Sequence, residues 1–331
     1  MRALEGMSVL ITGGGGYVGT VLSDYLIDHG YDVTSLDLYI YGKNVFFHDK
    51  EVKKVIGDIR DQNLLKKIIP GHDYLIHLAC ISNDPSFELN PELGKSINLD
   101  AFEPLIKISK DNGIKRFIYA SSSSVYGIKN EENVTENMIL EPLTDYSKFK
   151  AECEDISLKY VSDNFEVAII RPSTVCGVSL RMRFDLVVNI LTNLGYHKRK
   201  ISVFGGKQLR PNVHIKDMVR SYLEVLKKDE LKGDGNIFNV GTQNLPVQEI
   251  ANLVKQNLGD DIELITSHSD DNRSYHVSSQ KFSNFFNFKF NFTISDAIND
   301  LKVAFDQKKF SNSLTNKFYF NIKMMNSINL K

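Results

Sequence analysis

Short apolar runs and longer amphipathic segments alternate along the first half of the chain. The apolar runs, rich in β-branched residues, predict six strands at 8–12, 32–36, 52–56, 73–78, 116–120 and 167–170. Apolar residues at helical spacing predict helices between them at 17–29, 61–69 and 98–112. Strands that are apolar throughout and separated by helices are typical of a parallel sheet covered on both faces. We therefore predict an α/β fold with a Rossmann-type, doubly wound parallel sheet over residues 7–171.

The pattern is less regular after residue 171. It predicts helices at 185–194, 216–227, 247–258 and 294–305, and short strands at 201–204, 237–240 and 262–265. We interpret residues 172–307 as a smaller C-terminal lobe over the carboxyl ends of the strands, discontinuous with the sheet domain in places. Residues 308–331, here called the tail segment, contain five lysines, four aromatic residues and no acidic residue. A frayed end is one interpretation, and contact with a partner or a membrane surface is the other.

Charge and composition exclude several classes of protein. Lys and Arg number 40 and Asp and Glu 41, so the formal net charge is −1, which does not favour nucleic-acid binding. No apolar run reaches the roughly 20 residues of a membrane-spanning helix, and residues 1–7 lack the apolar stretch of a signal peptide. We expect a cytoplasmic protein with no membrane span. Cys80, Cys153 and Cys176 lack metal-ligand spacing and are expected to be small buried groups, so no metal is predicted.

A glycine-rich turn follows the first predicted strand and opens the first helix. Gly13, Gly16 and Gly19 form a GxxGxxG pattern, in which glycine permits a tight turn and a close approach of the backbone to a pyrophosphate. The start of the helix then offers unpaired N–H groups to the anion. Asp37 ends the next strand, and its carboxylate suits a ribose diol and would repel a 2′-phosphate. The pattern predicts a dinucleotide site that prefers NAD to NADP.

Tyr146 and Lys150 form a YxxxK pattern, which places both side chains on one face of a helix, one turn apart. A lysine ammonium close to a phenol stabilises the phenolate and lowers the phenol pKa from about 10. Such a phenol can act as a general base near neutral pH. Taken alone, the same spacing also fits an ordinary amphipathic helix.

Together these motifs resemble the extended short-chain dehydrogenase/reductase family, the NAD-dependent nucleotide-sugar epimerases and dehydratases. The similarity extends from residue 8 to about 305 and includes GDIRD at 57–61 and HLAC at 77–80. It implies an enzyme with NAD as cofactor, a nucleotide-sugar substrate, a homodimeric state and no need for a metal. It also implies that the residues in contact with the cofactor are Gly13, Gly16, Tyr17, Val18, Gly19, Asp37, Asp58, Ile59, Leu78, Ala79, Asn98 and Lys150.

The resemblance implies a catalytic set of Ser122, Tyr146 and Lys150. The family places a Ser or Thr four positions before the tyrosine of a VYG motif, here Tyr126, which selects Ser122 and leaves Ser121 as a rival. In the implied reaction Tyr146 takes the proton of the sugar 4-hydroxyl, and the C4 hydride passes to the nicotinamide. Lys150 holds the nicotinamide ribose and keeps Tyr146 ionised.

The resemblance also implies a substrate site in the second half of the chain. Thr174 stands where many family members carry a substrate-binding Asn, and the QLRPNVH stretch assigns Arg210 to the nucleotide diphosphate. The RMRFDL stretch at 181–186 is similar to a subgroup that oxidises C4 of GDP-linked heptoses. His214 and Asp217 are expected to be structural, as a turn and a helix cap. The implied substrate-binding residues are Ser123, Thr174, Arg181, Arg183, Arg210 and Arg273, with a plain surface position as the alternative for the last two.

These residues favour oxidation of C4 of a nucleotide sugar, and we expect a 4-epimerase. Two alternatives stay open: a C4 dehydrogenase that releases the keto sugar, as for a GDP-heptose-like substrate, and a non-catalytic NAD-binding regulator. A 4,6-dehydratase is disfavoured because the resemblance places its Asp-Glu pair at Ser123 and Ser124, which cannot act as acid and base. Glu131 and Glu132 are near in sequence, but nothing in the pattern places them at the sugar.

Overall fold

The computed structural model describes residues 6–231, 233, 235–268, 276–328 and 330. Over these ranges the strands, in chain order, are β1 (Ser8–Thr12), β2 (Asp32–Asp37), β3 (Lys53–Ile56), β4 (Tyr74–His77), β5 (Arg116–Ala120), β6 (Glu166–Pro172), β7 (Thr174–Cys176), β8 (Lys200–Phe204), β9 (Leu209–His214), β10 (Ile237–Val240), β11 (Gln243–Pro246) and β12 (Glu263–Ser267). The α-helices are α1 (Tyr17–Ile27), α2 (Gln62–Ile68), α3 (Asp84–Phe87), α4 (Pro91–Lys95), α5 (Phe102–Asp111), α6 (Asp145–Lys159), α7 (Val187–Lys198), α8 (Ile215–Lys227), α9 (Val247–Leu258), α10 (Gln280–Phe286), α11 (Ile294–Asp306) and α12 (Asn321–Ile328). A π-helical turn lies at Ser96–Asp100, and 3₁₀ turns lie at Ser123–Tyr126 and Lys317–Tyr319.

Seven of these strands form one parallel sheet in the order β10-β6-β5-β4-β1-β2-β3. Each neighbouring pair is parallel, so the carboxyl ends of all seven strands lie at the same edge. The strand order reverses at β1, which pairs with β2 on one side and with β4 on the other. One face of the sheet packs against α1 and α8, and the other packs against α2, α5 and α6. This arrangement confirms the predicted doubly wound Rossmann-type fold.

Residues 237–240 belong to this sheet and not to the smaller lobe, where the sequence analysis placed them. As β10 they pair with β6, with Ile237 opposite Ile169, and Phe238 and Val240 are fully buried. Helix α8 also returns to the sheet and packs on α1. The chain therefore passes from the sheet to the lobe and back, because a short apolar run carries no mark of the sheet that it will join.

The smaller lobe contains a three-stranded sheet, β11-β9-β7, and a two-stranded sheet, β12-β8. Helices α7, α9 and α11 enclose an apolar core of its own, with Leu191, Ile250 and Ile298 among its buried members. Strand β7 follows directly from β6, and β9 pairs with β7 in parallel. The lobe strands thus start from the carboxyl edge of the main sheet.

The described residues of the tail segment, 308–328 and 330, fold against the rest of the protein, so the prediction of a frayed end is wrong for them. Phe310 and Met324 are buried, and the ring of Phe184 packs against the rings of Phe310 and Tyr319, with centroids 5.4 Å apart in both pairs. The Phe184 backbone N–H donates to the Tyr319 carbonyl over 2.9 Å. The lysines of the segment that the structure describes are exposed. Burial of Phe310 and Met324 and packing of Tyr319 on Phe184 therefore hold the segment in place while the described lysines face water.

A buried polar network fixes α6 at the carboxyl edge of the sheet. Arg171, near the end of β6, donates to both carboxylate oxygens of Glu154 on α6, at 3.0, 3.2 and 2.6 Å. Ser121, which follows β5, also donates to Glu154, and Arg171 donates to the Tyr126 hydroxyl over 2.7 Å. The side chains of Arg171 and Glu154 are each 3% exposed. The helix that carries Tyr146 is therefore held against the ends of two strands by a charged pair that water does not screen.

We expect Glu154→Ala to lower the free energy of unfolding by about 3–5 kcal/mol, because it leaves the Arg171 guanidinium buried without its carboxylate. Denaturation in guanidinium chloride, followed by circular dichroism, measures the change. Glu152→Ala is the matched control, since Glu152 is exposed on the same helix, and it should change stability by no more than about 0.5 kcal/mol. Equal stability of the two variants would contradict the structural role of the pair.

Candidate functional site

A cavity of about 550 Å³ opens at the carboxyl edge of the main sheet, on both sides of the β1–β4 boundary. Its wall combines the glycine-rich turn, the ends of β2, β4 and β5, the start of α6, the lobe strands β7 and β9, and the tail segment. The volume falls in the range of small-molecule sites. Open parallel sheets bind ligands at the point where the strand order reverses, which is the position of this cavity.

The glycine-rich turn lies so close to its neighbours that side chains do not fit. Gly13 has a φ of +75°, and a Cβ atom there would lie 2.6 Å from the backbone nitrogen of Ala79. A Cβ atom on Gly19 would lie 2.4 Å from the Gly13 carbonyl oxygen. Gly16 precedes α1 without a side-chain cap, and the turn and the first residues of α1 line the cavity. The helix therefore presents uncapped N–H groups at a positive dipole end, which suits a pyrophosphate.

Tyr17 and Val18 both line this part of the cavity. The Tyr17 side chain, however, is hydrogen-bonded to the lobe. Its hydroxyl donates to the Gly177 carbonyl over 2.7 Å and accepts from the Asn189 amide over 3.1 Å. Burial raises the pKa of the Tyr17 phenol. The side chain links the glycine-rich turn to the lobe, and the backbone N–H is the part of Tyr17 that suits a phosphate.

Asp37 lies at the end of β2, in the cavity wall. One carboxylate oxygen accepts from the Tyr39 N–H over 2.7 Å, and the other accepts from the Gly15 N–H over 3.1 Å. Burial raises the pKa of Asp37, while these two hydrogen bonds and the charge of Arg181 act in the opposite direction. The carboxylate is thus fixed in orientation beside the glycine-rich turn.

The other residues assigned to the cofactor also line the cavity, with the exception of Asn98. Asp58, Ile59, Leu78 and Ala79 line the cavity. The Asp58 carboxylate is held by the Arg60 side chain at 2.6–3.0 Å; burial acts to raise the pKa of Asp58, but the hydrogen bonds and charge of Arg60 lower it overall.

Asn98 does not reach the cavity wall in the described structure, so its assignment as a cofactor contact is wrong. Its amide accepts from the Ile81 N–H over 2.8 Å and donates to the Ile81 carbonyl over 3.0 Å. The side chain is buried. Asn98 therefore fixes the loop that follows β4, which is the supporting role that its position in a helix allows.

Ser122, Tyr146 and Lys150 lie together in the same cavity. Ser122 caps the 3₁₀ turn by accepting from the Ser124 N–H over 3.1 Å, and its hydroxyl acts to lower the pKa of the Tyr146 phenol. The rival Ser121 is committed to the buried carboxylate of Glu154. The geometry thus separates the two serines, and Ser122 is the one beside the tyrosine.

The expected lowering of the Tyr146 pKa by Lys150 is wrong for this structure. Burial raises the pKa of the Tyr146 phenol well above its usual value of about 10, and Cys80 and Asp84 raise it further. The Lys150 ammonium lies 5.9 Å from the centre of the Tyr146 ring and donates to the Ala120 carbonyl over 2.6 Å. Removal of the phenol from water therefore outweighs the lowering of its pKa by Arg183 and Ser122.

The residues assigned to the substrate come from the edge of the sheet and from the lobe. Ser123, Thr174 and Arg210 line the cavity, and the last two lie on the neighbouring strands β7 and β9. Arg273 lies outside the described residues. His214 and Asp217 are structural as predicted: the His214 ring accepts from the Lys216 N–H over 3.1 Å, and Asp217 accepts from two backbone N–H groups over 2.9 Å.

Arg181 and Arg183 are both buried in the cavity wall but lie in different surroundings. Arg183 donates to Asp185 over 2.9 Å and to Ser82 over 3.1 Å, and its charge acts to lower the Tyr146 pKa. Arg181 instead lies 3.6 Å from the centre of the Tyr41 ring and interacts with the charge of Asp37. Arg183 therefore lies toward Tyr146, whereas Arg181 lies at the Asp37 end, and the assignment of both to the substrate stays a prediction.

Sequence reasoning missed several residues of the cavity wall. Cys80 lines the cavity beside Tyr146, although all three cysteines were expected to be buried; Cys153 and Cys176 are. Other missed positions have no motif of their own and include Tyr41, Ser82, Asp84, Asn321, Met325 and Leu330. Asp185 stood within the RMRFDL stretch, so the same motif signalled it.

The described residues contain neither a metal-binding cluster nor a membrane-spanning helix. No group of three or more His, Cys, Asp or Glu side chains there is arranged to hold a metal ion. Among the described helices, none has the length and apolar character needed to cross a membrane.

Comparisons with known proteins agree with this geometry. A sequence model of the NAD dependent epimerase/dehydratase family matches residues 9–241, more than half of the chain. The UDP-glucose 4-epimerase of Lactobacillus helveticus is 28% identical over 270 residues, covering 75% of this chain and 82% of that protein. The dTDP-D-glucose 4,6-dehydratase of Dictyostelium discoideum is 30% identical over 268 residues, covering 74% and 59%. The structure of Thermotoga maritima UDP-glucose 4-epimerase with UDP-glucose has a TM-score of 0.82 at 23% identity, over 91% of this chain and 99% of that one.

We expect the Tyr146 phenol of the cofactor-free protein to stay protonated up to at least about pH 10, because burial raises its pKa. NMR of protein labelled with ¹³C-tyrosine measures this titration, and the Tyr146→Phe variant identifies the resonance by its loss. A titration midpoint between about pH 6 and 8 would contradict the expectation and would mean that Lys150 alone suffices to ionise the phenol.

Proposed function

The chain belongs to the NAD-dependent epimerase/dehydratase family, and from this premise we propose that it is a nucleotide-sugar 4-epimerase. The observation that carries the proposal is the composition of one cavity wall. It holds the dinucleotide turn and the Ser122, Tyr146 and Lys150 side chains, and it has Ser123 and Ser124 at the positions that the sequence resemblance assigns to the acid pair of a dehydratase. This set supports removal and return of hydrogen at C4 without loss of water.

The glycine-rich turn and the start of α1 would hold the pyrophosphate of NAD. The Asp37 carboxylate would accept the hydroxyls of the adenosine ribose, and its charge disfavours a 2′-phosphate at the same place. Ile59, Leu78 and Ala79 supply apolar wall beside these groups. Bound NAD supplies the acceptor and then the donor of the C4 hydride.

Tyr146 would take the proton of the 4-hydroxyl when C4 is oxidised to a carbonyl. It would return that proton to the oxygen when C4 is reduced from the other face, which would restore a hydroxyl with inverted configuration. Ser122, which lies in the same cavity wall as Tyr146, would bridge the phenol and the sugar hydroxyl. Because burial raises the Tyr146 pKa, the phenolate needs additional positive charge, and release of the Lys150 ammonium from the Ala120 carbonyl would supply it.

The substrate would lie between the sheet edge and the lobe. Arg183 and Arg210 offer positive charge to a nucleotide diphosphate, for which the planar guanidinium is well suited. Thr174 and Ser123 offer hydroxyls to the sugar. Arg273 keeps its sequence-based assignment to the diphosphate, and a homodimeric state and a cytoplasmic location are likewise kept as predictions from the sequence.

The distribution of carboxylates argues against a dehydratase. Glu131 and Glu132, the nearest replacements in sequence, are exposed and lie outside the cavity wall as described. Asp84 and Asp185 do line the cavity. Asp84 accepts a hydrogen bond from Thr144 over 2.5 Å, and Asp185 is paired with an arginine. An acid and base pair for elimination at C5 and C6 therefore has no clear place in this wall.

We expect Tyr146→Phe to lower kcat by at least about 100-fold, the usual scale for loss of a general base, while NAD binding stays unchanged. Lys150→Met should lower kcat and also weaken NAD binding, because Lys150 would stabilise the phenolate and contact the nicotinamide ribose. Steady-state kinetics and NADH fluorescence titration measure the two effects. Tyr160→Phe, at the far end of the same helix, is the control; near-parental activity of Tyr146→Phe would remove the tyrosine from the mechanism.

We expect the product of the reaction to have the same mass as the substrate. The experiment incubates the enzyme with UDP-, GDP-, CDP- and dTDP-linked sugars and analyses the products by mass spectrometry and by NMR at C4. A product lighter by two hydrogens, with free NADH, would identify the C4 dehydrogenase instead. A product lighter by one water would make the protein a dehydratase, and tight NAD binding without turnover of any substrate would favour the regulator.

A further inference from the structure

Asn321, Met325 and Leu330 of the tail segment line the cavity, and Asn321 is hydrogen-bonded on two sides. The Asn321 amide donates to the Ser82 hydroxyl over 3.0 Å, at the edge of the main sheet. The Oδ1 atom of the Asn321 side chain accepts from the Arg181 guanidinium over 2.6 Å. The Asn321 backbone N–H donates to the Asp185 carboxylate over 3.0 Å, and both partners lie in the lobe. Asn321 is 4% exposed. One residue therefore ties the sheet to the lobe beside the cavity.

The helix that begins at Asn321 continues along the cavity wall. Met325, one turn further on, and Leu330 line the same cavity. Both also pack against the apolar cluster on the sheet face that contains Ile59, Ile81 and Ile97. We call the described residues 317–328 and 330 the strap, because they extend from the lobe loop to the side of the cavity that holds Ile59.

Arg181 lies between the strap and the part of the cavity assigned to the dinucleotide. The side chain is nine-tenths buried or more, and its Nε has no hydrogen-bond partner among the described residues. Burial lowers the pKa of Arg181 to about 10. A buried cation with an unused donor is costly unless an anion reaches it. Arg181 lines the cavity between Tyr41 and Asp37, at the end assigned to the dinucleotide.

We propose that the strap is part of the cofactor site: it closes the cavity over NAD(H), and Asn321 positions Arg181 toward the anionic cofactor. Met325 and Leu330 then supply apolar wall to the bound dinucleotide. The expected consequence is slow release of the cofactor. The proposal rests on the cofactor of the family, and slow release serves the proposed epimerisation, since the hydride taken from C4 must be returned by the same cofactor molecule.

The decisive measurement is the rate at which bound NADH leaves the protein in the absence of substrate. The protein loaded with NADH is mixed with excess NAD, and the decay of NADH fluorescence is followed. Asn321→Ala should raise the dissociation rate constant at least about tenfold, and a chain that ends at Phe320 should raise it further. The shorter chain keeps Phe310 and Tyr319, which anchor the tail segment on Phe184.

Asn326→Ala is the matched control, because Asn326 is exposed on the same helix; its release rate should stay within about twofold of the parent. The thermal midpoint of each cofactor-free variant distinguishes loss of closure from loss of fold. Should the shorter chain not fold, Asn321→Ala decides the result. An unchanged release rate in Asn321→Ala would overturn the proposal, as would a parent protein that binds no NADH.

Because no sugar substrate is present in this measurement, its result is independent of the reaction catalysed. Absence of epimerase activity together with slow NADH release would refute the proposed function but not the closure of the cofactor site by the strap. Fast NADH release from the parent together with normal epimerisation would refute closure by the strap but not the proposed function.

Discussion

The position of β1 between β2 and β4 is the constraint on which the site depends. Parallel pairing on both sides brings the carboxyl ends of all three strands to one edge, and the reversal of strand order opens a crevice there. The turn after β1 must enter this crevice against the loop that follows β4. Gly13 meets that requirement, because a side chain at its position would collide with the Ala79 backbone. The uncapped first turn of α1 then lies in the cavity wall.

Buried charged residues position the part of the cavity wall that contains Ser122 and Tyr146. Glu154 and Arg171 hold α6 against β5 and β6, and Ser121 joins them, so that the adjacent Ser122 is left beside Tyr146. The same exclusion of water that strengthens this network raises the Tyr146 pKa. A buried phenol is well placed for proton transfer but is not yet ionised. The reactive state therefore needs ligand charge or movement of Lys150 in addition to the fold.

The lobe and the tail segment complete the wall through contacts between distant parts of the chain. Phe184 packs against Phe310 and Tyr319 of the tail segment, and Arg181 and Asp185, on either side of Phe184 in the chain, contact Asn321. Two arginines are thereby buried in a cavity suited to anionic ligands. Their different neighbours divide the cavity: Arg183 lies toward Tyr146, and Arg181 lies toward Asp37. The residues assigned to the cofactor and those assigned to the sugar thus line one continuous cavity.

The sequence by itself determined what depends on short-range spacing. Strand and helix periods, the glycines of the turn, Asp37 at the end of the next strand, and the Tyr146–Lys150 spacing all act within one or two neighbouring elements. The tertiary structure decided what depends on partners far along the chain or on burial. No local pattern tells residues 237–240 which sheet to join, or tells Asn321 that its amide will meet Ser82, 239 positions away. The Tyr146 pKa likewise follows from how much water the folded wall excludes, which spacing alone does not specify.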